Sequence, residues 1–168
     1  SEQEKGLKYV DWVVNNSSNT QLQRESAYER ASYYSRKNQW PNAEKHWTEF
    51  VKNKKWTGTF SAEAWYRLGE SMEKNNKTSE ALSPYTNLLA KYASRIEYSI
   101  PAVASSASIQ KNLGKTAEAY KLAHRSGLKF ANYLNDRRFS QEFATLKRIY
   151  YELSDEHAGE NDKDPFVN

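Results

Sequence analysis

Trp65-Tyr66-Arg67-Leu68-Gly69, followed by Met72, a polar run Lys74-Asn75-Asn76-Lys77-Thr78 and then Ala81-Leu82-Ser83-Pro84-Tyr85, is the stretch that decides the fold. Trp65, Leu68, Gly69 and Met72 recur at three-to-four spacing, which places them on one face of a helix. The polar run breaks that stripe, and Ala81, Tyr85, Leu88 and Leu89 begin a second one. Thr78 or Ser79 is positioned to cap the second helix, with Glu80 near its positive end. The segment therefore reads as two helices joined by a turn. Gly69 and Ala81 are the small residues expected where the two helices cross closely.

The pattern repeats. Ala43, Ala81 and Ala119 stand 38 residues apart, each early in an amphipathic stretch after a polar turn. A fixed period of that size is the signature of a helical-hairpin solenoid. One period back, Ala27, Ala31 and Tyr34 predict a first helix, and Ala43, Trp47 and Phe50 a second. Lys37-Asn38-Gln39-Trp40-Pro41 forms the turn, and Arg30 falls where an apolar residue is expected. One period forward, Val103, Ala107 and Gln110 predict a first helix and Ala119 and Ala123 a second, with Ser106 and Gln110 replacing apolar residues. Tyr9, Trp12 and Val13 suggest an inward stripe of an earlier half-unit over 3–17. Phe139, Phe143, Leu146, Ile149 and Tyr150 predict a closing helix over 138–153. Pro101 is expected near a helix start, and 52–61 and 92–99 as linkers.

The second unit resembles a tetratricopeptide repeat, whose pattern is W-x2-L-G-x2-Y, then A-x3-F, then P. Trp65 to Gly69 supply the first part intact, Met72 stands in place of Tyr, Ala81 and Tyr85 supply the second, and the late Pro is absent. The resemblance implies an all-α chain folded as a right-handed superhelix of hairpins. Repeats are expected at about 24–58, 62–96 and 100–134 within a domain over 1–153. It also implies a non-enzymatic scaffold whose first helices line a groove for a peptide or protein partner. In bacteria such arrays often serve envelope, secretion or polysaccharide-export assemblies. Carried onto this sequence, the groove positions are Tyr28, Tyr66 and Ala104, then Ser32, Glu70 and Ser108, then Arg36, Lys74 and Asn112. Phe139, Glu142 and Phe143 extend the line. The Lys/Asn clamp of relatives that bind a chaperone's terminal carboxylate is not expected, because Tyr28 and Ser32 stand in its first two places. The half-unit at the start suggests a fragment of a longer array.

Composition sets wider bounds. The 168 residues are 38% hydrophobic yet 14% aromatic, with five Trp and twelve Tyr, which points to a core built largely from rings. Mean hydropathy is −0.99, and no apolar run reaches the length of a membrane span. Without cysteine there is neither a disulfide nor a thiolate site, and both cytosol and periplasm are compatible. Residues 152–168 hold six acids and one lysine, a net of −5, which leaves +9 on residues 1–151. A basic body of helical repeats also admits a second reading, RNA binding, although its lysines form no stripe in register. Residues 154–168 read as an acidic flexible tail.

Sites of chemistry are few. Asn112-Leu113-Gly114-Lys115-Thr116 ends like a phosphate-binding loop, but Ile109 replaces the first glycine and the context is helical. His46, His124 and His157 lie far apart, so no metal is expected, and no cofactor motif occurs. Glu70 and Glu73 share a helix face and read as a solvated or groove-lining pair, not as a catalytic dyad. Asn15-Asn16-Ser17 and Asn76-Lys77-Thr78 match the glycosylation sequon at a level expected by chance.

Overall fold

The computed structural model describes residues 1–167. They form eight α-helices and no strand: α1 Glu2–Asn16, α2 Thr20–Arg36, α3 Trp40–Lys52, α4 Ser61–Lys74, α5 Leu82–Tyr92, α6 Ile96–Asn112, α7 Thr116–Lys129 and α8 Ser140–His157. Short 3-10 turns occupy Lys54–Trp56, Ala131–Tyr133 and Arg137–Phe139. The chain divides into two compact units, Ser1–Asn87 and Leu88–Asn168, with the division inside α5. The helices pack in sequence-adjacent pairs, as in a tetratricopeptide-like helical solenoid.

The 38-residue period is written in the backbone. Asn38, Asn76 and Gly114 all adopt left-handed conformations, with φ of 55°, 61° and 77°. After each, an amide reaches back five residues: Gln39 N–H to Tyr34 O at 2.9 Å, Lys77 to Met72 at 2.8 Å and Lys115 to Gln110 at 2.8 Å. The left-handed residues themselves donate three residues back, to Ser35, Glu73 and Lys111. This double bond pattern is the Schellman termination, which favours Gly or Asn because either tolerates φ > 0. Gly114 therefore belongs to the third inter-helix turn and opens no phosphate loop. The amides of Ala43, Ala81 and Ala119 each donate four residues back, starting the second helices in matching register. In the middle unit this first turn is irregular, and α5 begins at Leu82 instead of just after Thr78 or Ser79.

In the first unit, neighbouring helices from α1 to α4 pack in sequence order. Ala27, Ala31, Ala43 and Ala64 let backbones approach, and Trp47, Phe50 and Trp56 fill the space between them. The 52–61 linker is built into that core. Trp56 is buried, and Phe60 stacks on Tyr28 with ring centres 4.1 Å apart. Arg30, in the expected apolar place, is buried with its guanidinium between Asp11 at 3.0 Å and Glu49 at 3.2 Å. Partners on both sides offset the desolvation that an isolated charge would suffer. A Cβ on Gly69 would lie 2.4 Å from the Tyr85 ring, so the close crossing of α4 and α5 is real. One reading fails at the start of the chain. Val13 is buried, but Tyr9 and Trp12 point outward, more than 60% exposed.

In the second unit, α6 packs on α7 and α8, and α7 on α8. Its centre mixes aliphatic and aromatic side chains, with Ile100, Val103, Leu146, Ile149 and Leu153 beside Phe130, Phe139 and Phe143. Pro101 lies inside α6, as its sixth residue, instead of opening it. Lacking an N–H, it leaves the Glu97 carbonyl without its helical donor. Helix α8 runs to His157, past the expected end at 153. Residues 159–166 pack back onto this unit. Phe166 is buried in the same core, and Asp162 and Asp164 accept hydrogen bonds from Tyr120 and Tyr151.

Candidate functional site

A cleft of about 360 Å³ opens in the first unit between α2, α3 and α4. Helix α2 contributes Tyr28, Ser32, Ser35 and Arg36; α3 contributes Trp40 and Trp47; α4 contributes Glu63, Arg67 and Glu70. The spacing 28, 32, 35/36 on α2 and 63, 67, 70 on α4 is that of one helix face each, so two faces look onto a common space.

Hydrogen bonds fix most of the wall. The Tyr28 hydroxyl donates to Glu63 Oε1 at 2.8 Å, and the Trp47 indole N–H donates to Ser35 Oγ at 2.9 Å. Arg67 Nη1 donates to Glu70 Oε1 at 3.1 Å, and Arg67 Nε reaches Glu63 Oε2 at 3.5 Å. Burial works against the Arg67 charge, but the paired carboxylates of Glu70 and Glu63 outweigh it and hold its pKa above the ordinary value. Burial, then the bond to Glu63, raises the Tyr28 pKa, so the phenol stays a donor.

Two groups at the cleft are not used by this network. Ser32 Oγ is buried and has no hydrogen-bond partner among the described residues. Arg36, exposed at the end of α2, makes no ion pair among them. Lys74 Nζ sits 5.9 Å from the Trp40 ring, adding a second cation beside the mouth.

Of the residues expected on the groove, Tyr28, Ser32, Arg36 and Glu70 come together here, and Lys74 stands nearby through Trp40. Tyr66 does not line the cleft; its ring packs 6.0 Å from the Tyr85 ring, with the Arg67 guanidinium 5.4 Å from its centre. The reason is geometric. Tyr28 meets Glu63, one turn before its 38-residue equivalent at 66, because neighbouring repeats touch at offset and not equivalent positions. In the second unit, Ser108 is half-buried on α6 and Asn112 is exposed at its end. Glu142 is half-buried on α8, with Oε2 lacking a partner among the described residues. Phe143 is a correction: only 1% exposed, it is core and presents nothing to a partner, and Phe139 and Ala104 are buried likewise. Trp40, Trp47, Ser35, Glu63 and Arg67 were not anticipated. The Trp40-Pro41 pair at the turn was the available signal for the first of them.

Against known families, the Tetratricopeptide repeat profile matches residues 63–94. Residues 63–94 form a tetratricopeptide repeat. The match spans α4, the Schellman turn at Asn76 and α5, the hairpin whose crossing is set by Gly69 and Tyr85. Neither the curated proteins nor the solved structures include a match to the chain. Tetratricopeptide repeats are protein-interaction scaffolds and generally non-catalytic. Among the described residues no cluster of three or more His, Asp or Glu side chains is arranged to hold a metal ion. No helix among them is long and apolar enough to cross a membrane.

Proposed function

We propose that the cleft between α2, α3 and α4 receives an extended segment of a protein partner, with an acidic side chain on Arg36 and an apolar or planar one on Trp40. The observation that carries this reading is the pairing of a fixed wall with two unspent groups. Arg67, Glu63, Glu70 and Tyr28 already satisfy one another, so a ligand gains little from them. Ser32 Oγ and Arg36 have capacity left, and the rim cations Arg36 and Lys74 favour an acidic partner. A wall held by its own hydrogen bonds puts the ordering cost on the ligand alone. On the strength of the repeat resemblance we assign the chain to a larger bacterial envelope, secretion or polysaccharide-export assembly.

The test is an array of extended peptides graded in acidic and apolar content, screened against the chain and its Arg36→Glu variant. Because Arg36 is exposed, the reversal leaves the fold intact and should weaken acidic-aromatic peptides at least about tenfold, a change of ~1.4 kcal/mol. A best-binding peptide indifferent both to Arg36→Glu and to Ser32→Phe, which fills the cleft, would refute the assignment.

A further inference from the structure

The most elaborated contact set outside the cleft lies on α7 and α8, where residues 159–166 lie across the helices. Tyr120 donates its hydroxyl to Asp162 Oδ2 at 2.9 Å, and the Gly159 amide donates to the same oxygen at 2.8 Å. Tyr151 donates to Asp164 Oδ2 at 2.6 Å. His124 Nε2 faces the Lys163 carbonyl at 3.1 Å, so this position is read through its backbone. Pro165 sits on the bare backbone of Gly127, where a Cβ would come within 2.7 Å of the ring. Phe166 is only 9% exposed, with its ring 5.6 Å from Tyr150 and 6.5 Å from Tyr151.

Successive residues of the segment therefore meet separate features of the helices: a phenol for each carboxylate, an imidazole for a carbonyl, a gap for the proline and a ring shelf for the phenylalanine. A segment that merely ends a helix needs none of this. The shelf is itself ordered, since Tyr120, His124 and Tyr150 stack with centres 5.3 to 6.1 Å apart. Charge agrees, because an acidic segment lies on a body of net +9.

We propose that this α7–α8 face is a recognition site for an acidic Asp-x-Asp-Pro-Phe segment, filled in cis by residues 162–166 and opened to a protein partner that carries the same chemistry. It is separate from the cleft of the first unit, and either can fail without the other. The chain's own segment acts as a tethered competitor: if it occupies the face nine-tenths of the time, a partner binds about tenfold more weakly than to the open face.

The probe is a free peptide with the sequence of residues 159–166, titrated by NMR into the full chain and into the full chain carrying Asp162→Ala, Asp164→Ala and Phe166→Ala. In the released variant the peptide should shift resonances of Tyr120, His124, Gly127 and Tyr151. Binding to the unsubstituted chain should be about tenfold weaker, and a peptide with both aspartates replaced by asparagine should lose it. No shift at those residues at millimolar peptide, equal binding to both chains, or shifts confined to the first unit would each overturn the proposal. Phe166→Ala alone serves as the released chain if the triple variant loses helicity.

Discussion

The two units are built alike, from alanines and buried rings, and differ in what covers their ring-bearing faces. In the first, alanines bring helices together and rings make up the core, with Trp47, Phe50 and Trp56 inside. In the second, alanines again stand at the helix contacts and aliphatic side chains share the centre with Phe130, Phe139 and Phe143, while Tyr120, Tyr150 and Tyr151 stand towards the face that residues 162–166 cover. The first unit thus leaves its polar and aromatic cleft open, whereas the second carries its own occupant. Ring-rich helix faces with fixed hydrogen-bonding groups suit extended segments, and the units differ in whether the segment is supplied in cis.

Glycines test that contrast most strongly. A Cβ at Gly69 meets the Tyr85 ring at 2.4 to 2.8 Å, within a crossing that neither helix can leave. Gly69→Leu should cost about 1–3 kcal/mol and lower the unfolding midpoint. At Gly127 the obstacle is Pro165; if residues 162–166 are a displaceable occupant, Gly127→Leu should release them and spare the helices. Circular dichroism melts with hydrogen exchange at Phe166 separate the two. Equal loss of midpoint would mean that the segment is an integral part of the core.

The helical hairpins were legible because period and small-residue positions are local. Ala43, Ala81, Ala119 and Gly69 announce close crossings whatever surrounds them. Three things were not legible. Asn38, Asn76 and Gly114 also stand 38 residues apart, but their shared role is a backbone angle that the differing side chains conceal. The Tyr28–Glu63 contact depends on how repeats are offset, which periodicity averages away. The acidic composition of 154–168 suggested a solvated tail, since nothing local reveals that Tyr120 and Tyr151 wait 42 and 13 positions away for its carboxylates.

The turns allow a finer comparison between units. Gly114→Val forces a β-branched residue into a left-handed conformation and should cost about 1–2 kcal/mol. Asn76→Gly, at the equivalent place in the first unit, should be neutral or slightly stabilising in urea unfolding. A loss at Asn76 equal to that at Gly114 would show that the Asn76 side chain does more than tolerate the angle.

Arg30 carries a smaller expected change. It holds a position where the repeat pattern prefers Leu, paired with Asp11 and Glu49. Removing one partner of a buried ion pair is costly when a buried charge is left behind, but Asp11 and Glu49 are more than 40% exposed, so without Arg30 both carboxylates stay hydrated. Arg30→Met should therefore leave stability within about 1 kcal/mol, while Arg30→Ala, which also opens a void, should cost more. A large loss with Met would make the charge network, and not burial, the main support of α1 on α2.

The subtlest difference is one of pH, and only the second unit has it in a covering segment. The Gly159 amide and then the Tyr120 hydroxyl hold the Asp162 carboxyl below its ordinary 3.8. A lowered carboxyl supports the closed segment above that ordinary value and loses its hold as pH falls below it. Tyr151 runs the other way: donating to Asp164, and then burial, push its hydroxyl from 10.0 up to about 12. Its contribution is complete below 10 and lost as pH rises through about 12. Tyr120 is raised further, by burial first and then by Asp162. The segment should therefore stay closed on a plateau between these limits, read by the fluorine signal of a labelled phenylalanine at 166. Tyr151→Phe should remove the part of the alkaline limb that Tyr151 supplies and leave the acid limb in place. Release in mid-plateau, or an acid limb that survives Asp162→Asn unchanged, would show that the carboxylate–phenol bonds do not hold the segment down.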